Sequence, residues 1–589
     1  HKDATVSAVD AVMHGTDIEC GQTVYKTLVD AVKNGLITEA QLDVSVKRLF
    51  TIRYRLGMFD PVSMVKYAQT PASVLESAPH KAHALKMAQQ SIVLLKNEKN
   101  TLPLSKSIKK IVVVGPNADN SISVLGNYNG TPSEIVTVLK GIQNKLGSKA
   151  EVVYEKAINF TNDTVLVYTD MRNQYSFEGK SGFKAEYFNN KELQGQPAVT
   201  RTEETLDHFW QEGSQVVGNM NAYNFSARYT TNYTADKDGF ITFEVEADDG
   251  YKFNIDDKSV VDAWTRNRWG ARTYRLKTEK GKSYRLVLEY WQGEGKANVK
   301  LRAGNFEQTN YAALLNKVSD ADAIVYVGGI SPQLEGEEMR VDYPGFNGGD
   351  RTTILLPTVQ TELMKKLNST GKPVVFVMMT GSAIATPWES ENIPAIVNAW
   401  YGGQSAGTAV ADVLFGDYNP AGRLPVTFYK SDSDLPGFLD YGMEGRTYRY
   451  FKGEALYPFG HGLSYSTFTY SGLQLPKTIT ANKPVTVTVT VKNSSKRDGD
   501  EVVQLYVSHQ TKSKAPVRAL KGFKRIALKA GESKTVSFKL TPEELSLVNE
   551  TTGKYYQPKG KLQISLGGGQ PAVKNKTTSN VVSSFVQLL

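Results

Sequence analysis

The chain has 589 residues, of which 40% are hydrophobic and 22% charged, and its formal net charge is +9. That length exceeds what one hydrophobic core supports, so several domains are expected. Lysine and arginine are scattered among acidic residues, with no run of five or six like charges, which argues against nucleic acid or a membrane surface as the main partner. No apolar run has the roughly 18 residues that a membrane-spanning helix needs.

Cysteine and histidine are sparse. Cys20 is the only cysteine, so no disulfide can form within the chain, and the seven histidines show no metal-ligand spacing. The sequence therefore predicts a protein without a metal or another cofactor.

Residues 1–60 have helical periodicity. One helix ends at Gly15, a second closes at Gly35 and a third starts at Thr38. Between the first two, residues 16–21 (TDIECG) predict a short strand. So short a stretch of helix, strand and helix cannot form a parallel sheet or barrel by itself, so it is predicted to be the end of a larger α/β domain.

Residues 61–82 carry prolines and serines with little periodicity and predict a linker. Over residues 83–180 helices and strands alternate, which predicts an α/β domain. The predicted elements are a helix at 83–95, a strand at 111–114, a helix at 133–146 and a strand at 152–154.

Residues 181–302 change to an all-β pattern that is rich in aromatic side chains. Turn residues at 237–239, at 248–250 and at Gly281 predict β-hairpins. Because these strands interrupt an α/β pattern, they predict an inserted β-sandwich.

The α/β pattern returns over residues 303–430. Residues 431–470 are rich in glycine, tyrosine and proline, and they predict a long extended connection. Residues 471–589 alternate between apolar and polar side chains and predict a terminal β-sandwich.

Three carboxylates lie close together after a predicted strand at 323–327. Two glycines end that strand, and Glu335, Glu337 and Glu338 follow before helical spacing resumes over 354–367. Open α/β sheets bind ligands at this carboxyl edge. Gathered like charges raise the pKa of at least one carboxyl, and a carboxyl that is protonated near neutral pH acts as a general acid. The alternative is a solvated acidic loop without a catalytic role.

Several segments together resemble glycoside hydrolase family 3, in the family's order. They are GTDIECG, RLGMFDP, AQQSIVLLKNE with VVVGPNAD, the acidic loop, WYGGQSAGTAVADVLFGDYNPAGRLPVTF and YPFGHGLSYSTF. The resemblance implies a (β/α)₈-like barrel of which residues 1–60 are a remnant, a six-stranded α/β sandwich and a fibronectin type III-like domain. Residues 181–302, with ADDGYKFNID, resemble the anthrax protective-antigen-type β-sandwich of some members.

The resemblance also implies a retaining mechanism, in which one carboxyl is the nucleophile and another is the acid/base. Aligned with the family's loop, Glu337 falls on the acid/base and Glu335 on an acidic residue two positions before it. Glu335 and Glu338 stay alternatives for the acid/base, and Glu338 competes because Glu337-Glu338 stands where many members have Glu-Gly. The family's nucleophile, an aspartate in a Ser-Asp motif, has no counterpart here, so we expect a fragment that does not hydrolyse glycosides by itself.

Four further residues are candidates for binding. Glu19 and Cys20 follow the family's strand near the barrel mouth, which implies contact with substrate; the alternative for Glu19 is a helix cap. Asp248 and Asp249 resemble a calcium-binding pair in relatives of the inserted domain, but a turn without metal is the favoured interpretation.

Aromatic side chains of the inserted region could stack on sugar rings, although aromatics in a sandwich more often form the core. The candidates are Tyr251, Trp264, Trp269 and Trp291.

The function implied by the resemblance is that of an exo-acting retaining β-glycosidase, which removes nonreducing-end β-linked xylosyl or glucosyl residues from plant cell-wall oligosaccharides. LEGEEM followed by GFNGGDR resembles bacterial members that act on xylosides, and a β-glucosidase is the alternative in the same family. The alternative from another class is a carbohydrate-binding or scaffolding protein. Relatives of this type are exported by bacteria, so a periplasmic or extracellular location is expected.

Overall fold

The computed structural model describes residues 1–21, 23–130, 132–210, 213–218, 220–265, 271–295, 297–336, 341–510, 514–573 and 577–589. The chain divides into two compact units, His1–His80 and Lys81–Leu589. Within the ranges above, no helix has the length and apolar character needed to cross a lipid bilayer.

The first unit is helical. Thr38 caps its longest helix, Glu39–Arg55: the Thr38 hydroxyl accepts a hydrogen bond from the Gln41 amide, and the Gln41 side chain accepts one from the Thr38 amide. The strand predicted at residues 16–21 is wrong; these residues form a loop, because no strand among the described residues of this unit offers a ladder. The helices are Ala4–Met13, Leu28–Lys33 and Glu39–Arg55, with 3₁₀ turns at Tyr25–Thr27, Val62–Met64, Lys66–Gln69 and Ala72–Val74.

A six-stranded mixed sheet forms the centre of the α/β part. Its strands lie in the order Val93–Asn97, Ala395–Asn398, Val374–Met379, Ala323–Gly329, Lys110–Val114 and Glu151–Glu155. Neighbouring strands are parallel, except that the first is antiparallel to the second. The central strands are buried on both faces, as expected for a parallel sheet covered by helices. The helices are Ala78–Ser91, Val138–Leu146, Tyr311–Val318, Pro332–Glu335, Thr358–Asn368, Pro387–Asn392 and Ala406–Leu414.

Two predicted helices have other bounds. The helix predicted at 83–95 is Ala78–Ser91, and the apolar run that follows it belongs to the strand Val93–Asn97. A short apolar run fits either period, and pairing with Ala395–Asn398 makes it a strand. The helical spacing predicted from residue 354 becomes helix only at Thr358, directly after a proline.

Two antiparallel sheets follow Glu151–Glu155 and share one core. Their strands extend from Thr164–Tyr168 to Ala297–Gln308, a wider stretch than the predicted 181–302. The eight-stranded sheet contains Tyr175–Phe177, Lys180–Ser181, Phe183–Phe188, Val199–Glu203, Phe225–Thr234, Gly250–Ile255, Lys258–Asp262 and Ser283–Gln292. The five-stranded sheet contains Thr164–Tyr168, Asp207–Trp210, Gly239–Asp248, Arg272–Thr278 and Ala297–Gln308.

The three hairpins predicted in this region are wrong. The turns at 237–239, at 248–250 and at Gly281 each carry the chain from one sheet to the other. A tight hairpin forms instead at Asp256 and Asp257, which both have positive φ (48° and 62°). Turn residues signal that the chain reverses, but they do not say which sheet the next strand joins.

A β-sandwich with its own core ends the second unit. One sheet contains Phe468–Gln474, Val485–Asn493 and Ser533–Leu540, and the other contains Thr478–Ile479, Gly499–Gln510, Ala519–Leu528, Gly560–Gly567 and Val581–Leu588. A small ladder joins Leu547–Val548 to Tyr555–Tyr556.

The predicted connection at 431–470 contains the short helix Thr447–Tyr450. Tyr448 stacks on Phe459 with ring centroids 4.1 Å apart, and its hydroxyl accepts a hydrogen bond from the Leu520 amide (3.1 Å). The connection therefore packs against the terminal sandwich.

Candidate active site

Three loops meet at the carboxyl edge of the six-stranded sheet. They follow the neighbouring parallel strands Ala323–Gly329, Val374–Met379 and Ala395–Asn398. Because parallel strands end at the same edge, the side chains that follow them come together there. The residues brought together are Glu335, Ser382 and Tyr401.

Both carboxylate oxygens of Glu335 accept hydrogen bonds. The Ser382 hydroxyl donates to Oε1 (2.9 Å), and the Tyr401 hydroxyl donates to Oε2 (2.7 Å). Burial, and next the charge of Glu335, raise the pKa of the Tyr401 hydroxyl. Tyr401 therefore keeps its proton and remains a donor to Glu335 at neutral pH.

Arg351 is linked by hydrogen bonds to the same group of residues. Its Nη1 donates to the Ser382 hydroxyl (3.1 Å) and to the Ala383 carbonyl (2.9 Å), and its Nε donates to the Thr353 carbonyl (3.2 Å). Burial lowers the pKa of the guanidinium, against the opposing effect of nearby carboxylates. Its Nη2 is buried and has no hydrogen-bond partner among the described residues. A chain of hydrogen bonds thus runs from Arg351 through Ser382 to Glu335.

Two glycines and Gln360 shape the end of the strand that leads into the loop. A Cβ on Gly329 would lie 2.1 Å from the Met379 carbonyl oxygen, and one on Gly328 would lie 2.5 Å from Gln360 Oε1. The buried Gln360 side chain accepts a hydrogen bond from the Gly329 amide (2.8 Å) and donates one to its carbonyl (2.7 Å). Glycine permits this close approach, and the contacts hold the point at which the loop leaves the sheet.

Of the three carboxylates predicted from the sequence, the structure describes Glu335; Glu337 and Glu338 lie outside the described residues. Sequence reasoning did not single out Ser382 or Tyr401. Tyr401 belongs to the WYGGQSAG segment, but it lies 66 residues from Glu335 and no local pattern links the two.

Glu19, in the first unit, caps the turn that follows it. Its carboxylate accepts hydrogen bonds from the amides of Tyr25 (2.8 Å) and Val24 (3.0 Å), and these hold its pKa below the ordinary value. Cys20 is an exposed free thiol. These contacts fit the capping alternative for Glu19, and contact of either residue with substrate stays a prediction.

Asp248 ends the strand Gly239–Asp248, and Asp249 connects it to the strand Gly250–Ile255 of the other inserted sheet. The Asp249 carboxylate accepts a hydrogen bond from the Gly293 amide (2.7 Å). Burial, with a contribution from Asp249, raises the pKa of Asp248 to about 6. The Asp249 contact supports the favoured interpretation as a turn, and calcium binding by the pair stays the untested alternative.

The Tyr251 ring is fully buried in the sandwich core, which agrees with the favoured interpretation of these aromatics as core residues and excludes stacking of this ring on a sugar. The Trp291 indole donates to the Trp264 carbonyl (3.0 Å), and the two rings meet with centroids 6.5 Å apart. Trp269 lies outside the described residues.

Comparison with known proteins identifies two domains. The sequence model of the glycosyl hydrolase family 3 C-terminal domain matches residues 92–465. The model of the fibronectin type III-like domain matches residues 501–570.

Curated relatives resemble almost the whole chain. It is 39% identical to xylan 1,4-beta-xylosidase of Xylanibacter ruminicola over 574 residues, which are 96% of this chain and 65% of that protein. It is 30% identical to periplasmic beta-glucosidase of Salmonella typhimurium over 585 residues, 96% of this chain and 59% of that protein. The chain therefore spans about three fifths of the length of these relatives.

A solved structure has the same fold. The crystal structure of beta-glucosidase from Kluyveromyces marxianus in complex with glucose superposes with a TM-score of 0.67 at 26% identity, over 99% of this chain and 72% of that one. Since the family model covers more than half of the sequence, the chain belongs to glycosyl hydrolase family 3 and carries a fibronectin type III-like domain.

Proposed function

We propose that this chain supplies the acid/base of an exo-acting retaining β-glycosidase, which removes nonreducing-end β-linked xylosyl residues from plant cell-wall oligosaccharides. The observation that carries the proposal is the acidic loop at the carboxyl edge of the sheet, tied at Glu335 to Ser382 and Tyr401, in a chain of this family. A retaining glycosidase needs one carboxyl that protonates the departing oxygen and another that acts as nucleophile.

Glu337 is the proposed proton donor, and Glu338 is the alternative. Glu337 follows the hydrogen-bonded Glu335 by two positions. In the first step it protonates the glycosidic oxygen, and in the second its carboxylate takes a proton from the attacking water. The nucleophilic aspartate is proposed to come from polypeptide outside residues 1–589.

Xylosides are the favoured substrates, because the relative named xylan 1,4-beta-xylosidase is 39% identical and the relative named beta-glucosidase is 30% identical. β-Glucosides are the second candidate, since the similar Kluyveromyces marxianus structure is a beta-glucosidase in complex with glucose. The Salmonella relative is named periplasmic, which supports a periplasmic or extracellular location for this protein.

The proposal includes an assignment of domains. Residues 1–60 are the end of a (β/α)₈-like barrel and 61–82 a linker. The two parts of the α/β sandwich are 83–163 and 309–430, and the protective-antigen-type insertion is 164–308, wider than the 181–302 predicted from the sequence. Residues 431–470 are the connection and 471–589 the fibronectin type III-like domain.

The test is azide rescue in the whole protein that carries this chain. Glu337→Ala should lower kcat on xylobiose by about 10²–10⁴-fold. It should spare kcat/KM on 2,4-dinitrophenyl β-xyloside, whose leaving group needs no proton, but lower kcat on that substrate, because the second step loses its base. Added azide needs no base and should restore that kcat, with β-xylosyl azide as the product. The same pattern in Glu338→Ala, with Glu337→Ala unaffected, would overturn the assignment to Glu337.

Glu362→Ala is the matched control, because Glu362 is an exposed helical glutamate that pairs with Lys365 (2.8 Å). It should leave both rates unchanged. A wild-type protein that retains xylan but hydrolyses neither β-xylosides nor β-glucosides would overturn the proposal in favour of a carbohydrate-binding protein.

A further inference from the structure

We infer that Ser382 and Tyr401 are positioning residues. Their hydrogen bonds fix the side chain of Glu335, and Glu335 in turn positions the general acid of the same loop. The inference rests on the proposed function. It makes Glu335 an anchor of the loop, and it leaves proton donation to a later residue of the same loop.

The hydrogen bonds of Glu335 do not suit a proton donor. A carboxyl that protonates substrate needs one oxygen that carries the proton and points at the leaving group. In Glu335 the Ser382 hydroxyl occupies Oε1 (2.9 Å) and the Tyr401 hydroxyl occupies Oε2 (2.7 Å), and both oxygens act as acceptors. Releasing either contact would leave a half-buried hydroxyl without its acceptor.

Gly381 leaves space for the Glu335 carboxylate. A Cβ on Gly381 would lie 2.7 Å from Glu335 Oε2 and 3.0 Å from the Tyr401 ring. Glycine at position 381 therefore makes room for the carboxylate between the loops, and the Glu335 side chain fills that room.

The backbone that leaves Glu335 is equally constrained. Gly336 has φ of +59°, in the left-handed region that glycine adopts without steric cost. A Cβ on Gly336 would lie 2.6 Å from Val341 Cγ2 and 2.9 Å from the Gly349 Cα. Anchoring Glu335 therefore sets the direction in which the chain continues toward the proposed acid.

Ser382 is itself held from two sides. Arg351 Nη1 donates to its hydroxyl (3.1 Å), so that hydroxyl has its proton available for Glu335. The Ser382 amide donates to the Thr380 hydroxyl (3.1 Å), which in turn donates to the Ser382 carbonyl (2.6 Å). Because Ser382 is held just after the strand Val374–Met379, its hydrogen bond fixes the position of Glu335 relative to that end of the sheet.

A general acid matters only where the leaving group needs a proton. Displacing the acid should therefore lower kcat/KM on xylobiose and spare kcat/KM on 2,4-dinitrophenyl β-xyloside, because kcat/KM reports the steps up to departure of the leaving group. A variant that merely loses stability would slow both substrates alike. The ratio of the two rates separates positioning from folding.

The test compares Tyr401→Phe with Tyr465→Phe in the whole protein. Tyr401→Phe should lower kcat/KM on xylobiose at least about tenfold and on the dinitrophenyl xyloside less than about threefold. Tyr465 is a matched control, because it is also half-buried and its hydroxyl donates to the Val413 carbonyl (2.8 Å), outside the Glu335 network; its variant should leave the ratio unchanged. Ser382→Ala removes the other donor and should repeat the Tyr401→Phe pattern even if that variant fails to fold.

Azide distinguishes the anchor from the donor. Glu335→Ala should not be rescued by azide, whereas the variant of the true acid should be. Azide rescue of Glu335→Ala would overturn this inference and move the acid/base from Glu337 to Glu335. An unchanged rate ratio in both Tyr401→Phe and Ser382→Ala would overturn the inference alone. Either result would leave the proposed glycosidase activity intact. Absence of glycoside hydrolysis by the wild type would overturn the proposed function, and the inference with it.

Discussion

His461 and His509 are held neutral by their surroundings. His461 is 5% exposed, and its Nε2 lies 2.9 Å from the Leu95 carbonyl oxygen, so Nε2 carries the hydrogen. Burial lowers the pKa of His461 to about 4, against the Leu95 contact, and burial also lowers the pKa of His509 to about 4. The unfolded chain binds these protons near pH 6.5. The free energy of unfolding therefore keeps its full value above about pH 6.5, where both histidines are neutral in either state, and it decreases as the pH falls toward 4.

His461→Gln should flatten the dependence of stability on pH. In the wild type, His461 should reduce the free energy of unfolding by up to about 3 kcal/mol between pH 7 and pH 4. Urea denaturation across that range measures the slope, with His83→Gln, a change at an exposed helical position, as the control. An unchanged slope in His461→Gln would contradict the prediction.

A buried ion pair joins the α/β part to the terminal sandwich. Arg423 and Glu501 lie 2.9 Å apart with side chains 7% and 0% exposed, and the Tyr470 hydroxyl donates to the other Glu501 oxygen (2.7 Å). Arg423→Met should destabilise the protein by about 3–5 kcal/mol, because it leaves a buried carboxylate without its partner. Lys282→Met breaks a surface pair with Glu279 (3.0 Å) and should cost less than about 1 kcal/mol. If thermal denaturation showed Arg423→Met and Lys282→Met to lose equal amounts of stability, this prediction would be wrong.

At the scale of elements, the helices Val138–Leu146 and Ala406–Leu414 meet through glycine. A Cβ on Gly141 would lie 2.1 Å from the Gly407 carbonyl oxygen, and one on Gly407 would lie 1.8 Å from the Thr137 carbonyl oxygen. The contact is between backbones, so no flexible side chain can move aside. The glycines thus set how closely the two helices approach.

Gly141→Ala tests which effect wins at this crossing. Helix propensity favours alanine over glycine by about 1 kcal/mol, but the clash with a carbonyl should outweigh it and give a net destabilisation of about 1–3 kcal/mol. Gly130→Ala is the control, because a Cβ there meets no atom of the described residues within 4 Å. A Gly141→Ala variant that is more stable than the wild type in urea denaturation would contradict the prediction, because it would mean that the two helices move apart at no cost in free energy.

At the scale of the whole molecule, the proposed reaction needs two carboxyl groups: the acid/base in this chain and a nucleophile in other polypeptide. A retaining reaction cannot form its glycosyl intermediate without a nucleophile, even where the acid is in place. Residues 1–589 alone should therefore release no p-nitrophenol from p-nitrophenyl β-xyloside, while the whole protein should. Turnover by residues 1–589 at ordinary rates of about 1–10³ s⁻¹ would place the nucleophile within this chain.

The sequence by itself determined which segments become elements wherever the local pattern is long and regular. The strands Lys110–Val114 and Ala323–Gly329 and the cap at Thr38 follow from periodicity and capping residues. The order of the resemblance segments likewise predicted the family, which the match over residues 92–465 confirms. These features are readable because each depends on residues that are close along the chain.

Which strands pair with each other, and which distant side chains meet, was decided by the tertiary structure alone. It made Val93–Asn97 a strand, and it sent the turn at 248–250 across to a second sheet instead of closing a hairpin. It also brought Ser382 and Tyr401, 47 and 66 residues distant, onto Glu335. Those contacts depend on the order of strands in the sheet, and that order follows from how buried faces pack together, which no local pattern encodes.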